Sequence, residues 1–389
     1  MNKIPDGLVN LGTSLILLFF RLYLSIYALD SFGLTFLGEY NYFLVFTSIL
    51  VVISILGADL KLNIDVKKEN EVDFFKVLVS LINVIVVFLM LVGINTFVLQ
   101  TSIFPSYNVY TVFTFLLFHY LYQLLTHALF GLSLFKLNFS ITFLSVLISF
   151  TGLILYELDV VYSWYLIYII YVLTCILILF FKGKIKMNVI GIPSIKLYYK
   201  EIFSIGGFAI LNNLVLKIDT FFIKVFFPSA LGIYTGILNI VEPLYFLPRS
   251  FSNIILNKSI DNKSVSIDRK KVLIGLCLVP LMILMGYYVG NLVYKNILVG
   301  NEILYVILFC SVVVYSCVIA LSFAVLNENV KLLGKIYFFG FVIESIGLLI
   351  SSYLIKNELV IAMVCFISYA YMFVNVYRLY KKHSKLNRN

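Results

Sequence analysis

A chain that divides into one apolar stretch of about 20 residues after another, with only short polar gaps between them, has few folds open to it. Such stretches lie near residues 8–29, 38–60, 74–95, 109–131, 139–157, 161–181, 201–226, 230–256, 272–294, 303–325, 334–355 and 359–379. Each is long enough to cross the hydrocarbon core of a bilayer as a helix, the one open-ended structure that satisfies all of its own backbone hydrogen bonds there. The chain is 62% hydrophobic and 12% charged, where soluble domains are about a quarter charged. No soluble fold can bury so much apolar surface, and the spans leave no room for a separate soluble domain.

The polar gaps test the count independently. One alternate set of gaps holds 22 basic residues, among them Lys3, Lys61, Lys136, Lys200, Lys270, Lys331 and Lys381, whereas the other set holds only Lys295 and Lys356. Basic residues stay on the cytoplasmic side, so the number of spans is expected to be even and both termini cytoplasmic. The net charge of +10 is therefore a topology signal, and no nucleic-acid partner is expected. The first apolar stretch is long and carries Arg21, which reads as a retained signal anchor.

Two features divide the chain in half. The gap around 182–200, with Gly191-Ile192-Pro193-Ser194 and five lysines, lies at its midpoint. In addition, Leu37-Gly38-Glu39-Tyr40 recurs as Leu231-Gly232-Ile233-Tyr234, and Gly12 as Gly206, both at an offset of 194 residues. A parallel repeat is expected, with a six-helix bundle over 1–182, a cytoplasmic linker over 183–200 and a second six-helix bundle over 201–389. The expected fold class is all-α: a polytopic membrane protein of about twelve transmembrane helices in two bundles around a central cavity.

Polar side chains inside the spans carry the functional information, because an ionisable group at a helix centre costs about 2.5–3.5 kcal/mol. Ser14, Arg21 and Ser25 share one face of the first helix at helical spacing. Around residue 217, Lys217 and Asp219 point to nearly opposite sides, with Asn213 one turn before Lys217 and Asn212 two turns before Asp219. Asn239, Glu242 and Arg249 share a face of the next helix, which Pro243 and Pro248 should kink. Glu344 sits mid-helix with no local cation. Arg21, Lys217, Arg249, Asn212, Asn213 and Asn239 are thus candidates for lining a polar cavity, and Asp219, Glu242 and Glu344 for coupling to an ion. Each has a competing structural reading, as an ion pair or hydrogen bond between helices.

Other chemistry has weaker support. His119, Gln123 and His127 recur at four-residue steps, but histidines eight residues apart stand about 12 Å apart along a helix, so a polar packing stripe is the expectation and no metal site. Cys175, Cys277, Cys310, Cys317 and Cys365 fall in apolar stretches without paired spacing and read as packed thiols. There is no phosphate-loop motif and no large outward loop, so neither a cofactor nor enzymatic catalysis is expected.

The arrangement resembles the multidrug/oligosaccharidyl-lipid/polysaccharide exporter superfamily, and within it the Wzx-type flippases for O-antigen and capsule repeat units. The resemblance lies in Thr35-Phe36-Leu37-Gly38-Glu39-Tyr40-Asn41-Tyr42-Phe43 followed by Ile55-Leu56-Gly57, in Ile218-Asp219-Thr220-Phe221-Phe222-Ile223 followed by Leu231-Gly232-Ile233-Tyr234-Thr235-Gly236, and more faintly in His127-Ala128-Leu129-Phe130-Gly131-Leu132 with Lys136. It implies alternating access driven by an ion gradient, with an undecaprenyl-diphosphate-linked oligosaccharide as substrate. Membrane lipid and the polymerase and chain-length components of the same pathway are the further partners it implies. A diphosphate entering a low-dielectric cavity needs fixed positive charge, which gives Arg21, Lys217 and Arg249 a role as head-group ligands. Two other readings compete: a polysaccharide polymerase acting on the same lipid-linked substrate, and a drug/cation antiporter with an acidic cavity.

Overall fold

The computed structural model describes residues 6–94, 109–156, 159–187, 192–242, 244 and 269–386. The chain is an all-α, multi-pass membrane protein. Its helices are α1 (Asp6–Ile55), α2 (Ala58–Glu69), α3 (Phe74–Ile94), α4 (Val109–Gly131), α5 (Phe135–Tyr156), α6 (Val160–Phe181), α7 (Ile192–Phe226), α8 (Leu231–Val241), α9 (Arg269–Val293), α10 (Glu302–Ile350) and α11 (Glu358–Leu386). Among the described residues nine helical stretches are long and apolar enough to cross a membrane, and Pro228–Val241 and Val279–Val293 are shorter apolar helices.

The ends of the elements depart from the sequence-based expectation at several points: α5 begins at Phe135 rather than 139, α7 begins at Ile192, inside the expected 183–200 linker, and three further departures have a local cause. The gap expected over residues 30–37 is not a loop. Helix α1 runs through it and bends at one residue, Gly33, whose φ of 84° lies in the left-handed region that glycine enters without a Cβ penalty. At 50 residues, about 75 Å of helix at 1.5 Å per residue, α1 is two membrane passes joined by that bend. The second pass, in turn, ends at Ile55, short of the expected residue 60, because Leu56 and Gly57 both take positive φ. Beyond this turn α2 forms a short amphipathic helix in place of the expected loop; it buries Leu60, Leu62 and Val66 and turns lysines outward. Finally, the gap expected near residues 326–333 is absorbed into α10, which has one non-helical residue, Asn329.

The repeat extends to the helices themselves. Shifted by 194 residues, α4 would span 303–325, and the first pass of α10 covers Glu302–Leu326. Shifted likewise, α5 would span 329–350, and the second pass begins at Asn329. Helix α3 would begin at 268, one residue before α9.

The chain separates into two compact units. The first comprises residues 1–21 and 42–217, and the second residues 22–41 and 218–389. Both α1 and α7 therefore contribute to each unit. Within the first, α2 packs on α4, and α4 and α5 pack on α6. Gly57 lies against Gly206 of α7, where a Cβ on Gly206 would come 2.1 Å from the Leu56 carbonyl oxygen. A two-residue parallel strand pair, Val72–Asp73 with Ile185–Lys186, ties the gap after α2 to the gap after α6. Within the second unit, the two passes of α10 pack extensively with α11, and the tip of α1 lies against α8. There a Cβ on Gly38 would stand 3.0 Å from the Gly232 nitrogen, and one on Gly232 would stand 2.4 Å from the Leu34 carbonyl oxygen. Small residues at such crossings let helix backbones approach closely. Gly38 and Gly232 are also equivalent positions of the repeat, 194 residues apart.

Candidate functional site

The polar residues expected inside the membrane fall into groups belonging to different units. Helix α7 explains the division. Lys217 is the last residue of the first unit and Asp219 lies two residues further on, in the second.

In the first unit, the Lys217 ammonium donates to Ser48 Oγ at 2.5 Å. Asn213 Nδ2 donates to the Ala209 carbonyl of its own helix at 3.0 Å, and Asn212 is buried. Arg21 is partly buried, at the boundary where α1 passes from one unit to the other. The histidine stripe of α4 is absorbed into packing. His119 hydrogen-bonds Gln123 at 3.2 Å and stacks on Tyr168 with ring centroids 4.6 Å apart and planes 8° apart, and His127 lies 3.6 Å from Asp59.

The second unit holds the three carboxylates singled out in the sequence. Asp219 is buried, and its Oδ1 accepts from the Thr220 backbone at 2.6 Å while its Oδ2 accepts from the Tyr234 hydroxyl at 2.6 Å. Glu242, at the end of α8, and Glu344, on α10, are both close enough to act electrostatically on Asp219. Glu344 is completely buried, with Ser368 Oγ donating to one of its oxygens at 3.4 Å and to the Gly340 carbonyl at 2.9 Å. Its other carboxylate oxygen has no hydrogen-bond partner among the described residues. Tyr315, Tyr369 and Cys365 pack into the same region.

Asn239 belongs to a separate network beside this cluster. Its Nδ2 donates to Ser25 Oγ at 3.2 Å and to Asn41 Oδ1 at 3.1 Å, and Asn41 in turn donates to Thr235 Oγ1 at 3.4 Å. Asn41 and Thr235 are again equivalent positions of the repeat. Two ion pairs, Lys224 with Glu39 and Lys295 with Asp30 at 2.6 Å, join the tip of α1 to the rest of the unit. Asn239 thus hydrogen-bonds to both Ser25 and Asn41. Arg249, with Pro243 and Pro248, lies outside the described residues.

Tyr234, Ser368, Cys365 and Tyr369 were not anticipated as members of the carboxylate cluster. Tyr234 carried a signal, since it is the tyrosine of the repeated Leu-Gly-x-Tyr element. The other three lie on α11, and nothing in their spacing foretells that they face α10.

No family model matches the chain, and no curated protein sequence matches it. Solved structures do. A MATE protein crystallised in complex with MaL6 superposes with a TM-score of 0.69 at 13% identity, covering 98% of this chain and 95% of that one. A MOP superfamily transporter from Pyrococcus furiosus, described as having a binding pocket of reversed polarity that suggests a different function, superposes with a TM-score of 0.63 at 11% identity, covering 96% and 94%. The fold is that of MATE and other MOP superfamily transporters over essentially the full chain.

Proposed function

We propose that the chain is a flippase that moves undecaprenyl-diphosphate-linked oligosaccharide repeat units across the bacterial cytoplasmic membrane for O-antigen or capsule synthesis. The observation that carries the reading is a transporter fold whose membrane-embedded helices hold cations, Arg21 and Lys217, as well as carboxylates. A diphosphate head group crossing a low-dielectric region requires fixed positive charge, and arginine suits it because its donors match phosphate geometry. Arg21, Lys217 and Arg249 would meet the diphosphate, with Asn212 and Asn213 nearby on α7. Asp219, Glu344 and Glu242 would bind the coupling proton or cation, so that loading and unloading of the carboxylates drives alternating access. On this reading both termini are cytoplasmic, the bundles divide at 183–200, and the polymerase and chain-length components of the pathway are partners.

The decisive experiment is deletion of the gene followed by isolation of lipid-linked intermediates with assignment of the leaflet. Repeat units should accumulate on the cytoplasmic side. Complementation with Arg21→Ala plus Arg249→Ala should give normal protein levels without restoring surface polysaccharide, and full restoration would refute the head-group role. A drug/cation antiporter is the second reading, favoured by the carboxylate cluster and by the MATE neighbour. It predicts altered drug sensitivity in the deletion strain with intact surface polysaccharide.

A further inference from the structure

The end of α6 and the start of α7 present exposed groups distinct from the polar groups inside the membrane-spanning helices. Helix α7 is 35 residues long, about 52 Å, whereas the hydrocarbon core takes about 20 residues, or 30 Å. Counted back from Phe226, those 20 residues reach Gly207, so by length about four turns at the start of α7 exceed the hydrocarbon core, at the end that the loop charges assign to the cytoplasm.

Those turns have two faces. Tyr198 and Ile202 are buried against the first unit, and Lys196, Leu197, Lys200 and Phe203 are exposed. The exposed positions follow one another at i, i+1, i+4 and i+7, a single helical face that mixes two ammonium groups with two large apolar side chains. Just upstream, α6 ends in Phe180 and Phe181, which are 68% and 82% exposed, followed by the exposed Lys182.

Charge pairing separates these lysines from others of the same unit. Lys61 binds Asp65 and Glu201, each at 2.7 Å, and Lys76 binds Asp65 at 2.9 Å. Lys184 donates to the Asn70 carbonyl, and Lys186 is 3.8 Å from Glu71. Among the described residues, Lys182, Lys196 and Lys200 have no acidic partner. Water alone would suit the lysines but not Leu197, Phe180 and Phe181. A bilayer interface suits both, since the apolar groups enter the acyl boundary and the ammonium groups meet head groups.

We propose that these exposed groups at the end of α6 and the start of α7, Lys182, Lys196 and Lys200 with Phe180, Phe181, Leu197 and Phe203, bind anionic phospholipid of the cytoplasmic leaflet. They fix the start of α7 in the head-group plane. A cluster of basic residues beside a membrane helix gains about 1 kcal/mol for each lysine near an anionic surface, about a fivefold change in affinity.

The test uses the full chain in nanodiscs with spin-labelled phosphatidylglycerol or phosphatidylcholine as the probe, reading the immobilised fraction by electron spin resonance. The wild-type protein should select phosphatidylglycerol, less strongly as salt rises. The triple variant Lys182→Gln/Lys196→Gln/Lys200→Gln should lose most of that selectivity, about fivefold per lysine, and the corresponding Lys→Arg triple should keep it. Retained selectivity in the glutamine triple would overturn the proposal, as would equal loss in the arginine triple. So would an equal loss in Lys331→Gln/Lys335→Gln, which alters exposed lysines elsewhere, because the basic residues would then act as a general belt. Displacement of the labelled lipid by inorganic phosphate alone would identify a free-anion site and would also overturn it. None of these measurements involves transport, so their outcome is independent of the flippase reading.

Discussion

Gly206 and Gly207 are neighbours on α7, and the structure predicts opposite effects for the same substitution at the two positions. A Cβ at Gly206 would lie 2.1 Å from the Leu56 carbonyl oxygen and 2.6 Å from its carbon. Both are backbone atoms in the left-handed turn that ends the second pass of α1, so no rotamer change can relieve the clash. The helices must separate by roughly 1 Å, and overpacking of this kind costs about 1–3 kcal/mol. With backbone on both sides the upper end applies. Replacing a helical glycine by alanine returns about 1 kcal/mol, leaving Gly206→Ala destabilised by about 2 kcal/mol. At Gly207 a Cβ would meet nothing within 4 Å, so only the helix term remains and Gly207→Ala should be stabilised by up to about 1 kcal/mol. Thermal unfolding of the detergent-purified variants measures the difference directly, with the melting temperature falling for one and rising for the other. Equal shifts in the two variants, or a stabilised Gly206→Ala, would refute the close approach of α7 to the end of α1.

Asn239→Leu should destabilise by about 1–2 kcal/mol, because Ser25 Oγ and Asn41 Oδ1 stay buried without their donor; adding Ser25→Ala should cost less than the two single effects combined, measured by unfolding of the double-mutant cycle. Burial lowers the pKa of the Lys61 ammonium, but its hydrogen bonds to Asp65 and Glu201 outweigh burial and raise it above the ordinary 10.5. A raised folded-state pKa means that the contribution of Lys61, on the order of 1 kcal/mol, is fully present below pH 10.5 and lost as pH rises through the folded value. Wild-type and Lys61→Gln unfolding curves should therefore stay apart at neutral pH and converge on alkaline titration.

The spans were legible because their signal is one-dimensional. A run of apolar residues long enough to cross a bilayer reads the same whatever it packs against, and the stretches at 74–95, 109–131 and 161–181 coincide with α3, α4 and α6 within a residue. The bend at Gly33 was not legible, since the polar residues around it, Asp30, Ser31 and Glu39, look like a loop. Instead, Asp30 and Glu39 pair with lysines across the second unit, which lets the helix continue. Asp219 and Glu344 stood out because an ionisable group in an apolar run is conspicuous on its own. Their proximity could not be read from the sequence, because they stand 125 positions apart, with α8, α9 and part of α10 between them, and only the packing of α10 on α11 and α8 brings them within electrostatic reach. Asn239 illustrates the converse: polarity marked it, but only tertiary structure shows that its hydrogen bonds go to Ser25 and Asn41.

The 194-residue register gives the chain an internal paralogue, in which a position early in the chain has a sister of known number later on. Ser25 is the sister of Asp219, and Phe150 the sister of Glu344, so both carboxylates of the buried cluster fall on residues that carry no charge in the earlier half. Tyr234, which binds Asp219, has a tyrosine sister in Tyr40. The tyrosine is thus common to both copies of the Leu-Gly-x-Tyr element, whereas the carboxylates of Asp219 and Glu344 are not. At these positions two stretches in the same register differ in charge, so a substitution at one is no guide to the effect at its sister.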